Sequence, residues 1–261
     1  MTDSNLPADL RLALDEIARL PGLLVTSDYD GTMAPIVSDP QKAFANPASA
    51  RALCGIAELD DTFGAVVSGR ALADLARLSG FPAVVQLVGS HGAEFDSDFS
   101  ASLPSAATDL LAQVVATLTE VAAGVDGAAV ETKLASAALH VRNADPTAGA
   151  GAIDDVRVGV ATWDGVHVTE GKSVIELAVI PTDKGAALEI LRRQHDASAV
   201  VFFGDDVTDE KAFARLSPPD VSVKVGDGDT LAAFRVHGTD DVAAALEFLL
   251  ERRLRHLNPG H

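Results

Sequence analysis

Short runs of consecutive apolar residues, each stopping in polar ones, alternate along this chain with stretches whose apolar positions recur every three to four residues. Leu10, Leu14, Ile17 and Leu20 share one helical face, which Pro21-Gly22 ends. Leu23-Leu24-Val25-Thr26 then reads as a strand covered on both sides, because it is apolar at successive positions. It stops in Asp28-Tyr29-Asp30-Gly31. The alternation continues with a helix over 48–59, a strand over 64–67, a helix over 71–78 and a strand over 84–88. It resumes with a helix over 182–193, a strand over 199–203 and helices over 209–216 and 240–253. This order predicts an α/β fold, a Rossmann-like core around a parallel sheet.

Between these flanks the texture changes. A helix over 107–122 precedes alternating strands near 130–133 and 138–142, then a helix over 153–159 and strands near 166–168 and 174–178. Asp164-Gly165 and Glu170-Gly171 are turn signals, with Trp163 as a hairpin-flanking aromatic. The expected organisation is a split core, 1–102 with 182–261, and an inserted α+β cap domain over 103–181, with the Ala/Ser-rich stretch 100–108 as the junction.

Charge narrows the classes of function. Against 38 Asp and Glu stand 20 Lys and Arg, a formal net charge of −18, so polyphosphate backbones and anionic membranes repel the chain. No nucleic-acid or membrane partner is expected. The one cysteine, Cys54, has no companion for a disulfide or a structural zinc site and reads as a core residue. Residues 1–11 lack a basic segment followed by an apolar run, and no apolar run approaches the roughly 18 residues of a membrane span. A cytoplasmic monomer is expected.

The chemistry lies where apolar strands stop, since open α/β sheets bind ligands at the carboxyl ends of their strands. Three strands end in Asp28-Tyr29-Asp30-Gly31-Thr32, Ser68-Gly69-Arg70 and Gly204-Asp205-Asp206-Val207-Thr208-Asp209. Clustered carboxylates stay ionised only beside positive charge, and oxygen donors suit a hard cation, which makes Mg2+ the natural candidate. Asp28 and Asp205 would be direct ligands and Asp30 would add its backbone carbonyl. The spare Asp28 oxygen can attack phosphorus. Asp30 then serves as acid and afterwards as base. Asp206 and Asp209 read equally well as an N-cap with a first-turn acid and as residues supporting a metal. Lys184 opens a helix, where a cation opposes the dipole unless an anion binds. With the free amides of that helix start, the Ser68 hydroxyl and the Gly69 amide, it makes a phosphate site.

In order and spacing, Asp28-x-Asp30-Gly-Thr, Ser68-Gly-Arg70, Lys184-Gly and Gly204-Asp-Asp-x-Thr-Asp209 resemble the haloacid dehalogenase superfamily of phosphohydrolases. Four further segments make the chain similar to the trehalose-6-phosphate phosphatases over nearly its whole length. They are Gly89-Ser-His91-Gly-Ala-Glu94, Glu131-Thr-Lys133, Leu139-His-Val-Arg142, and Gly171-Lys172-Ser-Val-Ile-Glu176. The resemblance implies a mobile cap inserted between the Ser68 and Lys184 motifs, closing over a disaccharide. It implies Asp28 as nucleophile, Asp30 as acid/base, Asp205 as Mg2+ ligand and Lys184 as clamp on the phosphoryl group. It puts Arg70, His91, Glu94, Glu131, Lys133, Arg142, Lys172 and Glu176 on the substrate, the last five reading sugar hydroxyls from the cap. The implied reaction is hydrolysis of trehalose 6-phosphate to trehalose and phosphate through an aspartyl-phosphate, the last step of trehalose biosynthesis.

The chain departs from the family pattern at Ala178 and Val179, where an Arg-Pro pair is common, and at Val141, where a tyrosine is common. With 261 residues it leaves no room for a fused synthase-like domain, so a stand-alone phosphatase is expected. Phosphatases for sucrose 6-phosphate or mannosyl-3-phosphoglycerate share the core and differ in the cap. A non-catalytic phospho-receiver or sugar-phosphate sensor is the alternative of another class. It has no need of Asp30 or of the long insertion.

Overall fold

The computed structural model describes residues 6–95, 105–133, 135–180 and 183–258. The chain forms two compact units, Met1–Asp98 with Asp183–His261, and Phe99–Thr182. The expected divisions at 102/103 and 181/182 fall outside the described residues. In chain order the first unit begins with α1 (Ala8–Ile17), β1 (Leu23–Ser27), α2 (Pro47–Ala57), β2 (Thr62–Val67), α3 (Leu72–Ser79), β3 (Val85–Gly89) and β4 (Glu94–Phe95). The second unit holds α4 (Ser105–Ala123), β5 (Ala129–Thr132), β6 (Ser136–His140), α5 (Pro146–Val158), β7 (His167–Gly171) and β8 (Val174–Ala178). The first unit then resumes with α6 (Lys184–Gln194), β9 (Ala199–Gly204), α7 (Val207–Phe213), β10 (Val221–Val225), β11 (Phe234–Val236) and α8 (Thr239–Leu257).

The first unit is the parallel-sheet α/β core that the alternation predicts. Its strands lie in the order β11-β10-β9-β1-β2-β3-β4, all neighbours parallel except β3 and β4. Both faces are covered, which is why β1 and β9 are apolar at successive positions. Leu23 and Val25 of β1, with Ala199, Val201 and Phe203 of β9, face a core shared with α1, α2 and α8. Leu24, Val200 and Phe202 face the opposite core, with Leu188 and Leu191 of α6 and Phe213 beyond. β4, β10 and β11 were not expected. β10 mixes Ser222 and Lys224 into its valines, and β4 and β11 have only two and three residues.

The second unit is a four-stranded antiparallel sheet in the order β5-β6-β8-β7. Ala137, Leu139, Ile175 and Leu177 turn one face toward Val114 and Leu118 of α4 and Ala152 and Val156 of α5. Two local expectations change. Gly165, at φ +81°, leads a short 3-10 turn into β7, so Asp164-Gly165 closes no hairpin, and Trp163 packs on the unit's core. The hairpin joins β7 to β8 through Lys172-Ser173, with Glu170 and Gly171 still in the strand. A third concerns α4, which has 19 residues and a mean hydropathy of 1.2 and is long and apolar enough to cross a membrane by length and composition. Interspersed Asp109, Gln113 and Glu120 hide this from a search for an unbroken apolar run. One of its faces is buried on the sheet.

The C-terminal helix is fastened by one residue. Arg253 is 1% exposed and donates to Thr62 Oγ1 (2.9 Å) and to the carbonyls of Ala18, Leu20, Pro21 and Asp61. It thereby ties α8 to the loop before β1 and the start of β2, whereas its basic neighbour Arg255 is exposed beside Glu251. Compensation of the helix dipole therefore does not account for Arg253, which is held by side-chain bonds to other elements. Arg253→Met should lower the unfolding free energy by about 3 kcal/mol, because it leaves buried carbonyls without a donor. Arg255→Ala should change it by less than about 0.5 kcal/mol. Urea titrations of the two variants separate these outcomes, and equal losses would contradict the latch.

Candidate active site

β1 lies between β2 and β9, and the chain adds strands first on the β2 side and later on the β9 side. A crevice opens at such a reversal, beyond the carboxyl ends of the strands. The ladder runs one residue past each strand there, with Asp28 N bonded to Phe203 O and Ser68 N to Val88 O, both 2.8 Å. After Asp28 the chain folds back as Met33 N and Ala34 N both bond to Tyr29 O, and the buried Tyr29 hydroxyl donates to Ala43 O at 3.0 Å. Gly31 takes φ +79°, and a Cβ on it would lie 1.9 Å from Asp205 Oδ2. Glycine at this position is what lets the Asp205 carboxylate close against the loop.

Asp28, Asp205 and Asp209 each offer a carboxylate oxygen, all within 4.8 Å of one another. Lys184, 2% exposed, places Nζ 2.8 Å from both Asp28 Oδ1 and Asp209 Oδ1. Three carboxylates against one ammonium leave two negative charges. Burial therefore pushes Asp28 well above the usual carboxylate range, with Asp209 and Asp205 adding to the effect and Lys184 opposing it. Burial and Asp209 raise Asp205 to about 6. Burial pulls the Lys184 ammonium down, but Asp209 and Asp28 outweigh it and its pKa rises. An all-oxygen donor set with two uncompensated charges fits a hard divalent cation.

Asp206 and Asp209 take the helix-capping role that was one of their two readings. Asp206 is the N-cap of α7 and Asp209 its third residue, in a reciprocal capping box. Asp209 Oδ2 accepts from the amides of Asp205 and Asp206, both 2.9 Å, and leaves Oδ1 for Lys184. Asp209 thus caps α7 and lies in the acidic cluster as well.

Asp30 and Arg70 form a two-bonded pair, Nε to Oδ2 and Nη2 to Oδ1, both 2.6 Å. Ser68 Oγ accepts from Arg70 N at 3.1 Å, His91 N donates to Ser68 O, and a Cβ on Gly69 would lie 2.5 Å from the His91 ring. Ser90 and His91 both have positive φ, 48° and 53°, a strained pair beside the site. Glu94 accepts from Leu72 N and from the Ser90 hydroxyl. Its carboxylate braces the loop that carries His91.

The α6 start corrects an expectation. Its amides are not free, because Asp183 caps the helix and accepts from Gly185 N (2.7 Å) and Ala186 N (3.3 Å), while Arg215 holds its other oxygen. An aspartate two and three residues before those amides gives the helix start its own anion, and what Lys184 turns to the cluster is its side chain.

In the second unit Lys133 donates to both Glu176 oxygens at 3.0 Å, and Ser136 donates to Glu176 at 2.6 Å. Glu131 meets His140 Nε2 at 2.9 Å. Glu131, Ala138, Glu176 and Thr169 stand in register across the four strands, so these groups share the face away from α4 and α5. Arg142 and Lys172, just past the ends of β6 and β7, are exposed. Sequence reasoning missed Lys224, which is buried at the end of β10 and donates to Asp205 O, and Thr32, whose Oγ1 lies 3.3 Å from Asp205 Oδ1. The available signal was a lysine inside a run of valines.

These features define a haloacid dehalogenase-like α/β fold. A haloacid dehalogenase-like hydrolase from Bacteroides thetaiotaomicron shares it at a TM-score of 0.63 and 16% identity, over 87% of this chain and 98% of that one. The C-terminal domain of a C. albicans trehalose-6-phosphate phosphatase shares it at 0.74 and 24% identity, over 96% and 99%. The family described as Trehalose-phosphatase matches residues 26–240, and the chain belongs to that family. The trehalose-phosphate phosphatase of Mycobacterium ulcerans (strain Agy99) is 34% identical over 256 residues, 90% of this chain. The chain spans 65% of that relative's length.

A carboxylate raised on folding binds more protons in the native than in the unfolded state between its two pKa values. Stability from Asp205 is therefore present below the unfolded value near 3.9 and falls as pH rises toward about 6. In chelator, the melting temperature of the wild type should fall relative to Asp205→Asn across that window. Parallel curves would deny the raised pKa.

Proposed function

We propose that this chain is a Mg2+-dependent phosphatase that hydrolyses trehalose 6-phosphate to trehalose and phosphate. The observation that carries the reading is the Asp28–Asp205–Asp209 cluster around buried Lys184, in a chain of the trehalose-phosphatase family. Mg2+ would be held by Asp28, Asp205 and the Asp30 carbonyl, and would supply charge neutralisation on the phosphoryl oxygens. In this reading an Asp28 oxygen attacks phosphorus, and the bond from phosphorus to the sugar oxygen breaks. Asp30 gives a proton to the leaving alkoxide. Asp30, now ionised, takes a proton from water, which attacks the aspartyl-phosphate and returns the Asp28 carboxylate and inorganic phosphate. Both Asp30 oxygens accept from Arg70, so carrying a proton requires one of those bonds to open. Arg70 orients Asp30. Ser68, Gly69 and Lys184 bind the phosphoryl group, and His91 and Glu94 shape the adjoining loop.

Sugar recognition falls to the polar face of the second unit, acting as a cap. Glu131, Lys133 and Glu176 are already oriented by pairing, while exposed Arg142 and Lys172 supply further donors. Hydroxyl-rich ligands suit such a face, since each carboxylate accepts and each cation donates in a fixed direction.

Initial rates of phosphate release from trehalose 6-phosphate, sucrose 6-phosphate and glucose 6-phosphate, with and without Mg2+, test the reading. A metal-dependent preference for the first is expected. Comparable rates on all three would overturn the substrate, and no release would overturn the chemistry. Arg142→Ala should raise KM for trehalose 6-phosphate about tenfold, as expected for one lost charged hydrogen bond, and leave KM for a small aryl phosphate unchanged. Equal effects on the two substrates would remove Arg142 from sugar recognition.

A further inference from the structure

Lys224 is a buried cation in β10, its side chain 6% exposed, between the core residues Val223 and Val225. It stands in register with Gly204, the residue before Asp205. Burying an ammonium is costly unless it is hydrogen-bonded and paired, and an apolar residue would serve the strand better. Its Nζ donates to the backbone carbonyl of Asp205 and lies 3.8 Å from Glu210 Oε1. The N–H of the same peptide, that of Asp206, donates to Asp209 Oδ2 at 2.9 Å. The peptide after Asp205 is thus gripped at both ends, by Lys224 at its oxygen and by Asp209 at its nitrogen. The Asp205 carboxylate itself receives the Thr32 hydroxyl at a long 3.3 Å and shares a side-chain hydrogen bond with Asp28, a member of the same cluster, so outside that cluster its aim depends on the backbone beneath it.

We propose that Lys224 is a positioning residue that aims the Asp205 carboxylate into the acidic cluster through this peptide. The inference rests on the reading that Asp28 and Asp205 hold a divalent cation. Charge and direction make opposite forecasts. Removing a nearby cation would tighten metal binding by Coulomb's law, whereas loosening the Asp205 peptide would weaken it. Glu210 offsets much of the Lys224 charge, so the directional bond decides. Partners that orient a metal ligand are commonly worth about 10- to 100-fold in metal affinity.

The test is Mn2+ binding to chelator-treated full chain, read from the electron paramagnetic resonance of the free ion, with melting temperature recorded alongside. Lys224→Met should raise the Mn2+ Kd about tenfold or more. Glu210→Gln keeps the Lys224 bond and should change Kd less than about threefold, as expected for one partly screened charge. Lys224→Gln, which is too short to reach the carbonyl, should also weaken binding, and it is read in the same way if the Met variant does not fold. An unchanged or tighter Kd in a folded Lys224 variant, with wild-type binding intact, overturns the role of Lys224 alone. A purely structural lysine would lower the melting temperature without moving Kd. Failure of the wild type to bind Mn2+ would overturn the metal reading and the inference together.

Discussion

Three carboxylates gathered around one buried ammonium set the conditions for everything else in the first unit. Lys184 lies 2.8 Å from Asp28 and from Asp209, and Asp205 completes a cluster that is short of positive charge by two. Like charges at this separation in a partly dry site repel strongly, and burial and repulsion raise Asp28 and Asp205 together. Lys184 and the amides that bond Asp209 hold the arrangement together. A divalent cation would relieve this repulsion, which makes the cluster a place where ligand binding and stability are linked.

The scaffold supplies that restraint by specific means. Gly31 admits the Asp205 carboxylate where any side chain would collide with it. Asp209 caps α7 with one oxygen and holds Lys184 with the other, so a helix terminus and the charged site share a residue. Asp183 occupies the amides at the start of α6 and is itself held by Arg215. Capping each helix with its own acid leaves the cations to face the site. Far from this end, Arg253 binds α8 to the opposite edge of the strands, where the same logic of one donor and many carbonyls serves stability alone.

The second unit uses its sheet differently. One face is apolar and packed beneath α4 and α5, and the other carries Glu131, His140, Lys133 and Glu176 in interlocked pairs. Pairing fixes the direction of each group in advance, which lowers the ordering cost of any contact the face makes. The departures at Val141, Ala178 and Val179 are all buried in this unit, and Val141 and Val179 pack in its apolar core.

The parallel α/β core, and the strand ends at which its charged residues gather, could be read from the amino-acid order. Continuous apolar runs mark strands covered on both faces, and polar residues directly after them mark the ligand-binding end. Asp28, Asp30, Ser68, Lys184 and Asp205 were legible because each follows such a run or opens a helix. Which of these charges meet follows from the three-dimensional fold. It paired Asp30 with Arg70, 40 residues away, brought Lys184 to Asp28 and Asp209, and gave the α6 amides to Asp183. It also turned Lys224 inward to Asp205 and made a surface-looking Arg253 the latch of α8. Periodicity records which face of an element is apolar. The partner of a buried charge is set by strand order and register, and these bring together residues that no local pattern connects.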